Sequence, residues 1–230
     1  MSRLVVVTGG TRGIGAAIAD RFRAAGDTVL APGRADCDVT SEEAVAAYFA
    51  SVGPVDVLVN NAGISSSAPV SRTSLADWRS QFEVNATGAF LCTRAVLDGM
   101  RSRDSGRIVT VASTASHVGY RYTAGYTASK HAAVGFMRAV AAELAGTGVT
   151  ANAVCPAFVR TDMTATSVER IVSRSGRSTA EAEAALAAAS PLGRLLEPAE
   201  VAFAVSFLAA TEAAAINGQT LVLDGGGIQS

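Results

Sequence analysis

The most constraining feature of the sequence is a glycine-rich turn between an apolar strand and a helix near the N-terminus. The strand is predicted at Leu4–Val7 and the helix at Ala16–Ala25, with Thr-Gly-Gly-Thr-Arg-Gly-Ile-Gly at residues 8–15 between them. Glycines let the backbone turn tightly and approach a phosphate, and the start of a helix offers unpaired N–H groups. Such a turn also occurs as an ordinary loop, but this position favours nucleotide binding. The residues expected to contact the nucleotide are Gly9, Thr11, Arg12, Gly13, Ile14 and Gly15.

A second pattern can bring a hydroxyl, a phenol and an ammonium together. Tyr126 and Lys130 are four residues apart, which places them on one face of a helix. Ser113 follows an apolar run, where a buried strand is expected to end. A nearby lysine cation favours the phenolate, so the pKa of Tyr126 is expected to fall below about 10. Together the three groups could exchange a proton with a carbonyl or alcohol oxygen. A Tyr-x-x-x-Lys pair alone also occurs on plain surface helices.

The rest of the chain alternates apolar strands with helical stretches. This order predicts an α/β fold: a Rossmann-type, doubly wound parallel sheet of about six strands with helices on both faces. Strands are predicted at Leu4–Val7, Thr28–Ala31, Val55–Asn60, Arg107–Ala112, Thr150–Val154 and Gln219–Leu223. No internal repeat or linker is evident, so residues 1–230 are expected to form a single domain.

Three short signals predict where helices begin. Residues 40–43, Thr-Ser-Glu-Glu, form a capping box for a helix that runs to about Ser51. A second capping box occupies residues 178–181. Pro198 suits the first turn of a helix that runs to about Ala210.

Composition excludes several classes of function. A formal net charge of -1 argues against a nucleic-acid partner, and no apolar run of about 18 residues predicts a membrane span. The first strand begins at residue 4, which leaves no room for a signal peptide, so a cytoplasmic location is expected. Cys37, Cys92 and Cys155 lack metal-ligand spacing and are expected to be buried thiols, with no metal site.

Several motifs in order resemble the short-chain dehydrogenase/reductase family over nearly the whole chain. They are the Thr-Gly-x-x-x-Gly-x-Gly turn at residues 8–15, Asn60–Gly63, Asn85, Ser113 with Tyr126 and Lys130, Asn152–Ala157, Pro191–Arg194 and Asp224–Gly226. The chain departs from the family pattern at Ala157, where glycine is usual. The resemblance implies that the catalytic residues are Asn85, Ser113, Tyr126 and Lys130.

The resemblance also implies direct hydride transfer between C4 of a nicotinamide and a carbonyl carbon. Tyr126 would exchange the proton, Ser113 would orient the substrate oxygen, and Lys130 would hold the nicotinamide ribose. Asn85 would anchor a water that links Lys130 to solvent, or would serve only as a hydrogen bond at a helix bend. Further cofactor contacts implied are Asp38 and Val39 beside the adenine, Asn61, Ala62 and Gly63 after the strand ending at Asn60, and Pro156, Val159 and Thr161, of which Thr161 matches the carboxamide contact. A homotetramer is implied, with interfaces on the helices that contain Asn85 and Tyr126 and on the last strand.

One region departs from the family. Asp38 comes only seven residues after Ala31, whereas a parallel crossover with a helix needs roughly a dozen. The helix is therefore predicted to be absent, and the outer edge strand absent or reduced. The strand Thr28–Ala31 should then lie at or next to the sheet edge.

Cofactor choice depends on the end of that strand. An NAD enzyme would normally place Asp or Glu there, but this chain has Ala-Pro-Gly-Arg at residues 31–34. Arg34 could bind a 2′-phosphate, joined by Arg12, which predicts NADPH. Two alternatives stay open: both arginines are simply solvated, or Asp36 turns towards the ribose and selects NADH.

The segment 160–192 is a polar, irregular interruption that is predicted to form a lid over the site. It resembles the lids of 3-hydroxybutyrate dehydrogenases, acyl-thioester reductases and aromatic polyketide ketoreductases. Its arginines at 170, 174 and 177 could meet a phosphate of coenzyme A or a carrier protein, or could be solvated.

The sequence thus predicts an NADPH-dependent reductase of a 3-oxoacyl thioester or polyketide-like ketone. The first alternative is an NAD-dependent dehydrogenase of a small hydroxy acid or cyclic alcohol. A catalytically idle nucleotide sensor is the alternative of another class. The complete set of Asn85, Ser113, Tyr126 and Lys130 argues against that sensor.

Overall fold

The computed structural model describes residues 2–229; Met1 and Ser230, at the ends of the predicted domain, lie outside the described residues. Its centre is a six-stranded sheet in the order β2-β1-β3-β4-β5-β6, and every neighbouring pair is parallel. The strands are β1 Leu4–Val7, β2 Thr28–Leu30, β3 Val57–Asn60, β4 Gly106–Val111, β5 Val149–Pro156 and β6 Thr220–Leu223. The predicted fold class and strand number are confirmed.

Helices cover both faces of the sheet. They are α1 Gly13–Ala24, α2 Glu42–Val52, α3 Leu75–Phe82, α4 Gly88–Ser102, α5 Ala124–Glu143, α6 Asp162–Ser175, α7 Thr179–Ala187 and α8 Pro198–Leu208. Alternate residues of β1 face different cores: Val6 packs with α2, α4 and α5, whereas Val5 and Val7 pack with α1 and α8. Because both faces are buried, the strands are continuous apolar runs, as the sequence indicated.

The predicted short connection after β2 is confirmed. Residues 34–36 form a turn, and the next helix, α2, begins only at Glu42. β2 pairs with β1 alone and lies at the edge of the sheet. The nucleotide side of this edge therefore lacks the additional strand and helix that the family resemblance would place there.

Two of the local predictions need correction. The cap of α2 is Ser41, whose hydroxyl accepts a hydrogen bond from the Ala44 amide, and the predicted box beginning at Thr40 is wrong. The Thr40 hydroxyl instead donates to Asp38 at 2.7 Å. The segment 160–192 is not irregular, because it contains α6 and α7. Its capping box at Ser178 and the helix start at Pro198 are confirmed.

Among residues 2–229, no helix combines the length and the apolar character that a membrane crossing requires.

Candidate active site

The glycine-rich turn has the backbone shape that its sequence predicted. Gly9 and Gly13 adopt positive φ angles of 62° and 53°, which favour glycine. Gly15 is confined more tightly: a Cβ there would stand 2.5 Å from Nδ2 of Asn61 and closer still to the carbonyl oxygen of Gly9. α1 begins at Gly13 without a side-chain cap, which leaves its first N–H groups free for a ligand.

Thr8 joins this turn to the one that follows β3, a role that the sequence did not reveal. Its hydroxyl accepts hydrogen bonds from the amides of Asn61 and Ala62, each at 3.1 Å. The side chain of Asn61 returns the contact by donating to the carbonyl oxygens of Thr8 and Gly9, at 2.9 and 3.1 Å. The two turns therefore form one rigid unit at the carboxyl edge of the sheet.

A cleft of ≈ 650 Å³ runs along this edge, from the end of β2 to the start of α6. Nearly all the predicted cofactor contacts line it: Gly9, Thr11, Arg12, Gly13, Ile14, Gly15, Arg34, Asp38, Val39, Asn61, Ala62, Gly63, Tyr126, Lys130 and Thr161. Pro156 and Val159 do not, because both are packed in the core behind it. The cleft is also lined by Cys37, Ile64 and Val84, which the sequence did not predict as contacts, and by Met163 of the predicted lid. A long groove over a glycine cradle and a free helix start fits a dinucleotide.

No cluster of His, Cys, Asp or Glu able to hold a metal ion occurs within residues 2–229.

Two arginines that line the cleft form ion pairs with carboxylates: Arg34 at the β2 end, and Arg12 beside the start of α6. Arg34 Nε lies 3.1 Å from Asp38, and the Arg34 side chain is 85% exposed. Hydrogen bonds from Thr40 and, more weakly, from Arg34 hold the pKa of Asp38 below its usual value. Arg12 lies 3.7 Å from Asp162 at the start of α6, and both side chains are exposed.

Asp36, which could have turned towards a ribose, is held elsewhere. Its carboxylate accepts a hydrogen bond from the Gly33 amide at 2.9 Å, and it does not line the cleft. The charged group that is exposed to a ligand at the β2 end of the cleft is therefore the Arg34 guanidinium.

At the other end, α5 places Tyr126 and Lys130 on successive turns facing the cleft. Lys130 is buried and its ammonium donates to the Val111 carbonyl oxygen at 2.9 Å. Burial lowers the pKa of Lys130 to about 8. Ser113 follows β4, and its hydroxyl lies near enough to the Tyr126 phenol to lower the pKa of that group.

The predicted fall in the Tyr126 pKa is not seen in this arrangement. Burial raises the pKa of Tyr126, and the nearby Ser113 hydroxyl opposes this rise. The physical reason is geometric: the Lys130 ammonium is directed at Val111 and lies 5.8 Å from the centre of the Tyr126 ring. Desolvation of the phenol therefore outweighs the distant cation.

Asn85 lies in a π-helical turn, residues 83–87, that joins α3 to α4. Its side-chain oxygen accepts from the Ile64 amide at 2.9 Å. Its nitrogen donates to the Ile64 carbonyl at 3.0 Å and to the Ser129 hydroxyl at 2.9 Å. The amide thus joins the turn, the loop after β3 and α5; the water-anchoring role stays a prediction.

The fold and this arrangement of side chains define a nucleotide-dependent oxidoreductase, and comparison with known proteins agrees. Residues 31–227 match the family model described as enoyl-(acyl carrier protein) reductase. The chain belongs to the short-chain dehydrogenase/reductase family.

Relatives match almost end to end. A putative ketoacyl reductase of Streptomyces coelicolor is 40% identical over 252 residues, covering 98% of this chain and 97% of the relative. Acetoacetyl-CoA reductase of Shinella zoogloeoides is 38% identical over 247 residues, covering 98% of each. Among solved structures, a single-site variant of actinorhodin polyketide ketoreductase with NADPH superimposes with a TM-score of 0.89 at 38% identity, covering 98% of this chain and 97% of that one. Thermoplasma acidophilum aldohexose dehydrogenase superimposes at 0.91 with 31% identity, covering 100% and 97%.

Proposed function

We propose that the protein is an NADPH-dependent ketone reductase whose substrate is a 3-oxoacyl thioester or a similar bulky ketone. The observation that carries this proposal is the placement of Tyr126 and Lys130 on the wall of a dinucleotide-sized cleft, with Ser113 beside the Tyr126 phenol. Relatives named ketoacyl reductase and acetoacetyl-CoA reductase support the choice of substrate.

In this proposal each side chain acts at a stated atom. NADPH, when bound against the glycine cradle, supplies the hydride for the carbonyl carbon. The Tyr126 hydroxyl donates its proton to the carbonyl oxygen, which Ser113 orients by a hydrogen bond. To stabilise the phenolate that remains, the Lys130 ammonium turns from the Val111 carbonyl oxygen towards Tyr126, with which it shares one wall of the cleft.

A direct assay tests the reaction. Absorbance at 340 nm would follow consumption of NADPH or NADH with acetoacetyl-CoA, a neutral cyclic ketone and an oxidised sugar. The proposal predicts turnover of the first two and preference for NADPH. Absence of turnover with every ketone would favour the nucleotide sensor instead.

Two observations favour a second candidate, a dehydrogenase of small polar alcohols. Aldohexose dehydrogenase and a putative gluconate 5-dehydrogenase of Beutenbergia cavernae with bound NADP, at 40% identity and a TM-score of 0.87 over 97% of this chain and 96% of that one, share the fold closely. Preferential turnover of a sugar or hydroxy acid with NAD would select this candidate.

Arg34→Ala is expected to raise the KM for NADPH at least about 10-fold and to change the KM for NADH little, since only NADPH offers a phosphate to a guanidinium. Arg34 is exposed at the β2 end of the cleft, and to bind the phosphate it needs only to break its ion pair with Asp38. Steady-state kinetics with both cofactors measures this. Arg94→Ala is the matched control, because Arg94 also pairs with a carboxylate but lies outside the cleft. Equal effects on both cofactors would remove Arg34 as the discriminator.

The lid supports a phosphate-bearing substrate. Met163 and Thr166 of α6 line the cleft, and Arg170 and Arg174 continue the same helical face at spacings of four residues. Neither arginine forms an ion pair with another described residue. We therefore propose that segment 160–192 acts as the lid and that these guanidinium groups meet the phosphate handle.

Arg174→Glu is expected to raise the KM for acetoacetyl-CoA by roughly 10-fold and to spare a neutral cyclic ketone, because only the former carries phosphates. Arg101→Glu is the control. Arg101 is also exposed, but it lies in the last turn of α4, just before β4, at the amino ends of the strands. The measurement is the ratio of kcat/KM for the two substrates. If both substrates respond alike, the lid arginines do not hold a handle.

We also propose that the protein works as a homotetramer, and a cytoplasmic location stays a prediction. Exposed phenylalanines support further interfaces: Phe90 on α4 is 39% exposed, and Phe203 and Phe207 on α8 are 60% and 48% exposed. β6 lies at the other edge of the sheet from β2, where a partner strand could pair with it. Light scattering distinguishes a tetramer from a dimer or monomer.

A further inference from the structure

The side chain of Gln81, near the end of α3, is a fully buried amide that has no part in the proposed reaction. Its side chain is 1% exposed. Its oxygen accepts a hydrogen bond from the Ser66 amide at 3.1 Å, and its nitrogen donates to the Asp77 carbonyl at 3.3 Å. Burying an amide is costly unless it is hydrogen-bonded, and an apolar side chain would fill the same space without that cost. Core packing alone therefore does not explain this residue.

A glycine on α5 makes room for the amide. A Cβ at Gly125 would lie 2.7 Å from the side-chain nitrogen of Gln81, so only glycine fits there without a shift. Gly125 is buried in the first turn of α5 and directly precedes Tyr126. The Gln81 side chain thus packs against the backbone of Gly125, the residue directly before Tyr126.

Asn85 repeats this arrangement four residues later. It holds the same loop at Ile64, two residues before Ser66, and it donates to Ser129 on α5. Ser129 in turn donates to the Tyr126 carbonyl at 2.8 Å.

The two amides therefore form two rungs between the loop after β3 and the catalytic helix. Asn85 is hydrogen-bonded to both, whereas Gln81 is hydrogen-bonded to the loop and packs against α5. One rung lies opposite Gly125, directly before Tyr126, and the other meets Ser129, directly before Lys130. Two points of contact one helical turn apart determine both the position of a helix along its axis and its rotation about that axis. A single rung would leave the start of α5 free to tilt.

We propose that Gln81 is a positioning residue for Tyr126: it holds the start of α5 against the loop at Ser66. The proposal rests on the proposed function, in which the Tyr126 hydroxyl gives the proton. Proton transfer requires hydrogen-bond reach, so a small tilt of α5 slows the reaction. Gln81 does not itself line the cleft, so we expect its loss to change NADPH binding little.

Gln81→Met keeps the length of the side chain and removes the amide. It is expected to lower kcat for acetoacetyl-CoA by ~10-fold to ~100-fold, the scale of a misplacement of about 1 Å. The Kd for NADPH and the KM for the ketone should stay near their wild-type values, a split that a general loss of stability would not give.

Asn152→Leu is the matched control. Asn152 is also a fully buried amide that holds a loop, since it donates to Ile216 at 2.7 Å and accepts from Gln219 at 2.9 Å. It lies within β5 and bonds the segment before β6, away from the start of α5. Its loss should lower the melting temperature and leave kcat unchanged. An unchanged kcat in Gln81→Met, or an equal loss of kcat in both variants, overturns the proposal.

A pair of variants tests the contact with Gly125. Gly125→Ala should lower kcat by ~10-fold or more in the wild-type background, since the added Cβ meets the amide and tilts the helix. In the Gln81→Ala background the same change should lower kcat much less, because the Gln81 amide that faces Gly125 is absent. Equal costs in both backgrounds contradict the proposed contact.

Hydrogen exchange provides a readout that does not need turnover. The backbone amides of residues 64–68 and 124–130 should exchange faster in Gln81→Met than in Asn152→Leu. Each variant is measured at the same number of degrees below its own melting temperature. If the wild-type protein reduces no ketone, the proposed function fails, and this comparison still decides whether Gln81 holds the start of α5. Equal exchange in the two variants overturns the positioning role.

Discussion

Tyr126→Phe is expected to lower kcat by roughly 10²-fold to 10⁴-fold, the usual contribution of a positioned general acid. The change removes one oxygen and leaves the ring, so packing against the cleft wall is kept. Binding of NADPH should persist, because the glycine cradle and the turn held by Thr8 do not involve the phenol. Stopped-flow or steady-state absorbance at 340 nm gives kcat, and a fluorescence titration gives the Kd for NADPH.

Tyr48→Phe is the control for loss of a phenol oxygen. Tyr48 is half-buried on α2 and does not line the cleft, so kcat should be unchanged. A Tyr126→Phe variant that retained near-normal kcat on a good substrate would falsify the role of Tyr126.

The raised pKa of Tyr126 also favours one direction of reaction. A phenol whose pKa is raised by burial stays protonated at neutral pH and is therefore ready to donate, as reduction requires. Oxidation of an alcohol requires the phenolate, so its rate should rise with pH. The site thus suits reduction at neutral pH and the reverse reaction in alkaline solution.

The elements that the sequence predicted well are those fixed by local chemistry. Apolar runs located all six strands, because a parallel sheet buried on both faces is built mostly from apolar residues. Simple chain length predicted the missing helix after β2, since seven residues cannot make the crossover. Glycine spacing located the cradle, because its positive φ angles exclude most side chains.

What the sequence did not reveal depends on contacts between distant segments. The joining of two turns by Thr8 and the rung at Gln81 each link residues at least 15 positions apart, and a threonine or glutamine alone signals neither. The direction of the Lys130 ammonium could not be read from its four-residue spacing, so the shift in the Tyr126 pKa was predicted with the wrong sign. The choice of Ser41 over Thr40 as a cap was decided by Asp38, which binds the threonine hydroxyl first.

Gly15→Ala is expected to weaken NADPH binding by roughly 100-fold or more, although alanine is favoured over glycine within a helix by about 1 kcal/mol. At this position the added methyl group would overlap the Gly9 carbonyl oxygen and stand 2.5 Å from Asn61 Nδ2 and 2.9 Å from the Gly10 Cα. Two of these neighbours are backbone and cannot turn aside, and overpacking of this kind costs about 1–3 kcal/mol. The turn must shift, and with it the N–H groups that would face the pyrophosphate.

Gly135→Ala is the matched control for Gly15→Ala, because Gly135 also lies within a helix, on α5, but nothing stands within 4 Å of the Cβ it would gain. That variant should gain about 1 kcal/mol of stability from helix propensity and bind NADPH as the wild type does. A fluorescence titration for the Kd of NADPH and a thermal unfolding curve separate the two effects. Wild-type affinity in Gly15→Ala would mean that the cradle yields easily, and that close backbone approach at this turn does not determine where the nucleotide binds.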